Sequence, residues 1–192
     1  MTPTPPAIDE TESDEALMAR LQDGDDAAVA ELMVRWEVPV KAFLRRVGVT
    51  AADVEDVAQD TFVRLYQKRA SYRRGAPLKA WLLTLAVNLG RSRLRWRWRR
   101  PETELDEVAL DTTAGSEADG AQSTEQAERA RAVRAAVQQL RRSWREVVVC
   151  VEYEGLSHAE AATVLGCSPK AVETRLRRAR EALRASLASW LA

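Results

Sequence analysis

The residues best suited to chemistry lie near the C-terminus, on a segment with a helical pattern that begins at Pro169. Its apolar positions recur at three- and four-residue spacing: Val172, Leu176, Ala179 and Leu183. Its outward positions are mostly basic or polar: Lys170, Glu173, Thr174, Arg177 and Arg178. Arg can pair bidentately with guanine, Thr can contact the thymine methyl group, and Glu can accept a hydrogen bond from the cytosine amino group. We therefore predict that these five side chains contact base pairs of a DNA duplex.

The residues just before Pro169 predict how this basic helix is held. Ser157 and Glu160 have the spacing of a capping box, which opens a short helix ending at a turn of Gly166, Cys167 and Ser168. A short helix, a tight turn and a longer basic helix are typical of a helix-turn-helix. The alternative is an ordinary helical hairpin with a solvated arginine face.

A second cluster alternates arginine with tryptophan downstream of Asn88. It comprises Arg91, Arg93, Arg95, Trp96, Arg97, Trp98, Arg99 and Arg100. Arginine can bind phosphate, and exposed aromatic rings can stack on unpaired bases. This composition suits opened DNA strands. The alternative is an arginine-rich helix end that favours the helix dipole, with both tryptophans packed.

A third cluster is acidic and consists of Asp53, Asp56, Gln59 and Asp60. The three aspartates are spaced i, i+3 and i+7, so they are predicted to share one exposed helical face opposite an apolar one. No histidine or second carboxylate helix is placed to complete a metal site. A solvated face, or a face that meets a basic protein partner, is the better interpretation.

The elements that position these clusters are predicted to be helical throughout. Apolar spacing favours an all-α fold, with no run of two-residue alternation. We predict a tail over 1–13, a helical domain over 14–100, an acidic flexible linker over 101–125 and a helical domain over 126–192. A further capping box is predicted at Ser143–Glu146, and Pro39 is predicted to kink or split its helix.

Charge is sorted along the chain although the formal net charge is zero. Residues 88–100 carry six arginines and no acidic residue, and residues 101–128 carry nine acidic residues and no basic one. Residues 129–192 carry twelve basic residues against six acidic ones. Two basic segments that flank an acidic one are consistent with separate patches for a polyanion.

Several other classes of protein are not supported by the composition. The longest apolar run is far short of the roughly 20 residues that cross a bilayer. The Pro-rich acidic start lacks the features of a secretory signal, so we expect a cytoplasmic protein. With two cysteines, Cys150 and Cys167, and one histidine, His158, we expect no disulfide framework, no metal and no cofactor.

The three clusters together resemble one family, the extracytoplasmic-function (ECF) sigma factors. Residues 53–62, DVEDVAQDTF, resemble the family's polymerase-binding helix, and residues 78–88, LKAWLLTLAVN, resemble its −10 recognition segment. Several short motifs between Arg145 and Leu183 resemble its −35-binding domain, among them EGLS at 154–157 and RAREAL at 178–183.

The resemblance implies a promoter-recognition subunit that is not an enzyme. Asp53, Asp56, Gln59 and Asp60 would bind the clamp helices of the largest subunit of core RNA polymerase. Asn88 would lie in a loop that captures a flipped −10 base, and Arg91, Arg93, Arg95 and Trp96 would hold the −10 strand and its duplex. Lys170, Glu173, Thr174, Arg177 and Arg178 would contact the −35 element of promoter DNA. The family is typically held inactive by an anti-sigma factor, so such a partner is expected.

Two features depart from the family pattern. Glu173 stands where relatives often have a polar or basic residue, and the Trp-Arg-Trp sequence at 96–98 is unusual. The alternatives are a free-standing helix-turn-helix regulator and a metal-dependent nuclease built on the acidic helix.

Overall fold

In a computed structural model of the chain, residues 12–98 and 124–191 can be described, and they form helices joined by short turns. We call 12–98 the N-terminal unit and 124–191 the C-terminal unit. The helices of the N-terminal unit are α1 (Asp14–Gln22), α2 (Ala27–Val47), α3 (Ala51–Lys68) and α4 (Leu78–Trp98). Those of the C-terminal unit are α5 (Thr124–Gln139), α6 (Arg142–Val148), α7 (His158–Leu165), α8 (Pro169–Ser186) and α9 (Ala188–Leu191). No strand occurs in these two ranges, so the predicted all-α fold is confirmed.

Most of the predicted tail and linker, and Arg99 and Arg100 of the arginine cluster, lie outside the described residues. Helix α5 begins at Thr124, close to the predicted start of the second domain. No helix in the described part of the chain is long and apolar enough to cross a membrane.

Helix α2 continues through Pro39, so the predicted split of this helix is wrong. It ends at Gly48, whose φ of 96° is a left-handed conformation that glycine adopts without a Cβ penalty. The guanidinium of Arg145 lies against Gly48, at the place where a Cβ would stand. A residue of the C-terminal unit thus covers the end of α2.

Helix α4 begins after Pro77 and is stabilised at its start by a distant carboxylate. The backbone N–H of Leu78 donates to Glu15 Oε1 at 3.1 Å, which satisfies one of the unpaired donors of the first turn. Further along the helix, Gly90 packs closely on the N-terminal unit, since a Cβ there would lie 2.9 Å from Val49 Cγ2. These contacts fix α4 against the body of the N-terminal unit.

The capping box predicted at Ser143–Glu146 is wrong. Helix α6 begins at Arg142, two residues before the start that this capping box predicts, and its N-cap, Arg141, makes no side-chain capping bond. Glu146 does not reach back to the helix start. Its carboxylate instead accepts hydrogen bonds from Arg91 and Arg142, and two cations outcompete the backbone N–H that a capping box would offer.

The two units pack against each other. The apolar side chains of both belong to one buried cluster, and α4 lies against α3 on one side and α7 on another. Helix α2 also contacts α6. In this structure the two units are therefore closed onto one another.

We expect Phe43→Ala to destabilise the fold strongly. Phe43 is fully buried near the C-terminal end of α2, and removing such a ring costs roughly 3–5 kcal/mol in lost transfer free energy and a residual cavity. Val34→Ala, on the exposed side of the same helix, is the matched control and should change stability by no more than about 0.5 kcal/mol. Urea unfolding followed by circular dichroism measures both, and equal losses would contradict this packing.

Candidate nucleic-acid interface

The helix-turn-helix is built from α7, the turn at Gly166 and α8. The Ser157 hydroxyl accepts from the N–H of Glu160 at 3.2 Å, and the Glu160 carboxylate accepts from the N–H of Ser157 at 2.9 Å. The predicted capping box at this position is therefore confirmed. Gly166 ends α7 with a φ of 65°, and the Ser168 side chain caps α8 by accepting from the N–H of Ala171.

Three buried residues of α8 fix the orientation of this helix: Val172, Leu176 and Ala179. They pack it against α6 and α7. Burial at i, i+4 and i+7 leaves the opposite side of α8 facing outward. The sequence prediction is confirmed at these three positions, whereas Leu183, which was also predicted to be buried, is half-buried.

The five side chains predicted to contact base pairs lie on this outward side of α8. Lys170, Glu173, Arg177 and Arg178 are exposed, and Thr174 is half-buried, with its hydroxyl donating to the Lys170 carbonyl at 2.8 Å. The structure brings all five together on one helix face.

Some of these five residues form ion pairs within α8, and others do not. Lys170 Nζ lies 3.0 Å from a Glu173 oxygen, and Arg177 lies 2.6 Å from Glu181. The hydrogen bond from Lys170 lowers the pKa of Glu173 below its ordinary value, so Glu173 is charged at neutral pH. Arg178 makes no hydrogen bond or ion pair with any residue in the described ranges. Its guanidinium is the one most directly available to a base.

The residues predicted to bind the −10 strand separate into two groups on α4. Asn88, Arg95 and Trp96 are exposed and share one face of the helix, and Ser92 lies between them on the same face. We call Asn88, Ser92, Arg95 and Trp96 the α4 strip. Ser92 was not among the predicted contacts, although its i+4 spacing from Asn88 places it on the same helical face.

Asn88 lies within α4 and not in a loop, so that expectation is wrong. Helix α4 runs without interruption from Leu78 to Trp98 because its single glycine, Gly90, is packed against Val49 and does not break the helix. The loop that precedes α4 exposes two arginines that were not among the predicted contacts, Arg73 and Arg74.

Arg91 points away from the α4 strip and into the C-terminal unit. Its Nε and Nη2 donate to the two Glu146 oxygens at 3.1 and 2.6 Å, and its Nη1 donates to the Leu165 carbonyl at 3.1 Å. Leu165 is the last residue of α7, so Arg91 also satisfies a carbonyl at the end of that helix. The structure therefore places Arg91 between the two units.

Arg93 points to the other side, towards α3. Its Nε donates to Asp53 at 2.7 Å, its Nη2 lies 3.4 Å from Asp56, and its guanidinium lies 5.4 Å from the centre of the Trp96 ring. The hydrogen bond that Arg93 donates to Asp53 raises the pKa of Arg93. Arg93 thus connects the α4 strip to the acidic residues of α3.

The acidic face predicted on α3 begins later than expected. Asp53 is buried, with only 5% of its surface exposed, so its predicted place on an exposed face is wrong. The physical reason is its position in the first turn of α3, where Thr50 donates to one of its oxygens at 2.8 Å and Arg93 covers the other. Asp56, Gln59 and Asp60 are exposed as predicted, and the exposed Val63 continues their stripe.

The two cysteines are free thiols in different environments. Cys150 is fully buried, and burial raises the pKa of its thiol to about 12. It is therefore a protonated apolar group at neutral pH. Cys167 is half-buried in the turn before α8.

Two family models match the chain, and both describe parts of a sigma-70 factor. Sigma-70 region 2 matches residues 32–100, and sigma-70 region 4 matches residues 130–183. The first match covers α3, α4 and the α4 strip, and the second covers the helix-turn-helix. A match to both regions disfavours a free-standing helix-turn-helix regulator.

Curated relatives match along nearly the whole chain. The RNA polymerase sigma-H factor of Pseudomonas aeruginosa is 31% identical over 179 residues, covering 90% of this chain and 92% of that protein. CnrH of Cupriavidus metallidurans is 34% identical over 184 residues, covering 92% and 95%. The ECF RNA polymerase sigma-E factor of Haemophilus influenzae is 31% identical over 175 residues, covering 88% and 92%.

Solved structures of two sigma factors share the fold. CnrH in complex with the cytosolic domain of CnrY has a TM-score of 0.67 and 31% identity, covering 93% of this chain and 99% of that one. The sigma factor RpoE in complex with the anti-sigma factor NepR from Bartonella quintana has a TM-score of 0.67 and 25% identity, covering 82% and 95%. The chain therefore belongs to the extracytoplasmic-function sigma factors of the sigma-70 family, which direct RNA polymerase to begin transcription at particular promoters.

Proposed function

We propose that this sigma factor recognises promoters through two helices of different character, α8 for the −35 duplex and α4 for the opened −10 strand. The composition of the exposed faces of α8 and α4 supports this assignment of the two helices. Helix α8 presents charged and hydroxyl side chains suited to base edges, whereas the α4 strip presents an amide, a hydroxyl, a guanidinium and a tryptophan ring.

Helix α8 is suited to the major groove of a duplex. Its exposed face is rigid because three buried residues hold the helix, and its N-terminal half carries Lys170, Glu173 and Thr174. Arg178, without an intramolecular partner in the described ranges, is proposed to pair with a guanine. Glu173 is proposed to accept from a cytosine amino group, which would give this factor a −35 preference of its own.

The α4 strip is suited to single-stranded DNA. Trp96 is 46% exposed, and an indole ring of this accessibility can stack on an unpaired base, worth roughly 1–3 kcal/mol. Asn88 lies two turns before Trp96 on the same face and can donate to and accept from a base edge. Arg95 between them is proposed to bind the strand phosphates.

The remaining acidic face of α3, formed by Asp56, Gln59 and Asp60, is proposed to dock on the clamp helices of core RNA polymerase. Asp60 is exposed, and Val63 beside it adds an exposed apolar contact. Asp53 is proposed to position Arg93 and the start of α3, since its carboxylate is buried.

An anti-sigma factor is proposed as a further partner. Both solved neighbours are sigma factors in complexes, one with the cytosolic domain of CnrY and one with the anti-sigma factor NepR. Core polymerase and promoter DNA, the proposed partners, are found in the cytoplasm, so the protein is proposed to act there. Its proposed activity is that of an initiation factor, without catalytic turnover.

Asn88→Ala should impair promoter melting more than core binding, because the side chain is exposed on the α4 strip and away from α3. Melting is measured by 2-aminopurine fluorescence within the −10 element, and core binding by fluorescence anisotropy of labelled sigma factor. Asp60→Ala is the matched control and should show the opposite pattern. Equal loss of both activities in Asn88→Ala would refute its assigned role.

Arg178→Ala should weaken binding to the preferred −35 duplex by roughly 1–3 kcal/mol and relax the preference at one base pair. Arg184→Ala, on an exposed position nearer the end of α8, should weaken all sequences equally and by less. Competition binding of holoenzyme to a library of −35 variants measures both effects. An unchanged base preference in Arg178→Ala would show that Arg178 does not recognise a base pair of the −35 element.

A further inference from the structure

An open cleft lined mainly by basic side chains lies where α4, the start of α6 and the turn before α8 meet. Its volume is about 500 Å³, within the range of small-molecule binding sites. Four arginines line it: Arg91 of α4, Arg141 and Arg142 at the start of α6, and Arg175 of α8. None of the side chains assigned to the outward face of α8 or to the α4 strip lines this cleft. The cleft is therefore distinct from both faces that are proposed to contact bases.

Glu146 is the acidic residue of this cleft, and its carboxylate is fully paired. Only 4% of its surface is exposed, Arg91 donates to both of its oxygens at 3.1 and 2.6 Å, and Arg142 donates to Oε1 at 2.9 Å. Burial raises the pKa of Glu146, but the hydrogen bonds from Arg91 and Arg142 outweigh it and lower the pKa. One charged carboxylate against four guanidinium groups leaves the cleft with an excess of three positive charges.

Two of the four arginines have N–H donors that no protein group accepts within the described ranges. Arg175 is half-buried and makes no hydrogen bond or ion pair with any residue of 12–98 or 124–191. Arg141 lies with its guanidinium 4.9 Å from the centre of the Trp144 ring, a contact that uses the face of the guanidinium and not its N–H groups. Each guanidinium has five donors, so these two side chains can bind a ligand with several acceptor oxygens.

Phosphate groups match these donors, because phosphate oxygens accept paired hydrogen bonds from arginine. A water molecule occupies roughly 30 Å³ of liquid, so a cleft of about 500 Å³ has room for more than one phosphate group. The described residues that line the cleft include no aromatic side chain on which a nucleobase could stack. These features favour a small inorganic polyphosphate over a nucleotide.

We propose that this cleft binds a small polyphosphate anion, of which pyrophosphate is the simplest member. Arg175 and Arg141 bind the phosphate oxygens, whereas Arg91 and Arg142 supply charge and keep the Glu146 carboxylate occupied. The site is an addition to promoter recognition, since its binding groups lie outside the faces that are proposed to contact bases.

Cys167 lines the same cleft and reports whether the cleft is occupied. It is a free, half-buried thiol, whereas Cys150 is fully buried and burial raises the pKa of its thiol to about 12. Near neutral pH, a neutral alkylating reagent is therefore expected to react at Cys167 and to spare Cys150. When a bound anion covers the thiol, the alkylation rate falls by the factor 1 + [ligand]/Kd.

The experiment follows alkylation of the full chain by N-ethylmaleimide, with mass spectrometry of the peptide that contains Cys167. Two charge-assisted arginine contacts correspond to a Kd of about 1 mM, so we expect alkylation to slow about tenfold in about 10 mM pyrophosphate. Arg175→Gln should reduce this protection to less than about twofold. Arg134→Gln is the matched control and should keep the full protection, because Arg134 is exposed on α5, lies outside the cleft and loses the same charge.

Circular dichroism checks that the variants are folded. If Arg175→Gln unfolds, Arg141→Gln takes its place, since Arg141 is exposed, and a loss of protection of about threefold or more is expected. Absence of protection in the wild-type chain, or equal protection in the cleft variant, would overturn the proposal. So would an equal slowing by sodium chloride of the same ionic strength, because charge screening would then be the cause.

A second arm replaces pyrophosphate with a DNA duplex of random sequence. Protection by the duplex and not by pyrophosphate would assign these arginines to the DNA backbone and overturn the small-anion site. Binding of pyrophosphate is measured without DNA or polymerase. Its failure would therefore leave the proposed −35 and −10 contacts standing, and failure of those contacts would leave this site standing.

Discussion

The ion pair between Arg91 and Glu146 joins the two units at helix α4, which packs against both units and also has an exposed side. Helix α4 packs on α3 through one side, meets α7 through another and leaves a third side, the α4 strip, exposed. Arg91 and Arg93 leave α4 on opposite sides of the strip, and each is held by carboxylates of a different element. The position of α4 therefore decides which basic groups can reach DNA and which hold the protein together.

These ion pairs show how the equal numbers of basic and acidic residues in this chain are arranged in the structure. Basic residues that the sequence clusters near 91–100 do not form one open patch, because Arg91 is paired with Glu146 and Arg93 with Asp53. The C-terminal unit has an excess of basic residues, yet two of its few acidic residues, Glu146 and Glu154, lie at the contact with the N-terminal unit. Charge that would repel DNA is thus placed against cations of the same chain.

Local features of this fold were predictable from the sequence, and non-local ones were not. The capping box at Ser157, the end of α7 at Gly166 and the buried positions of α8 depend on residues within a few positions of each other. The similar spacing at Ser143 and Glu146 gave a wrong prediction because Glu146 is taken by Arg91, 55 residues away in the sequence. Asp53 was misplaced for the same reason, since its cover comes from Arg93. Asn88 was assigned to a loop from family resemblance, whereas Gly90 packs on Val49 and the helix continues.

The central claim is that α8 and α4 contact different parts of a promoter, the −35 duplex and the opened −10 strand. The most direct measurement is permanganate footprinting of the −10 element with Trp96→Ala holoenzyme, together with competition binding to the −35 duplex. We expect opening of the −10 element to fall while binding to the −35 duplex stays at the wild-type level, because Trp96 is exposed on α4 and far from α8 in the sequence. Unimpaired opening, or an equal loss of −35 binding, would contradict this account.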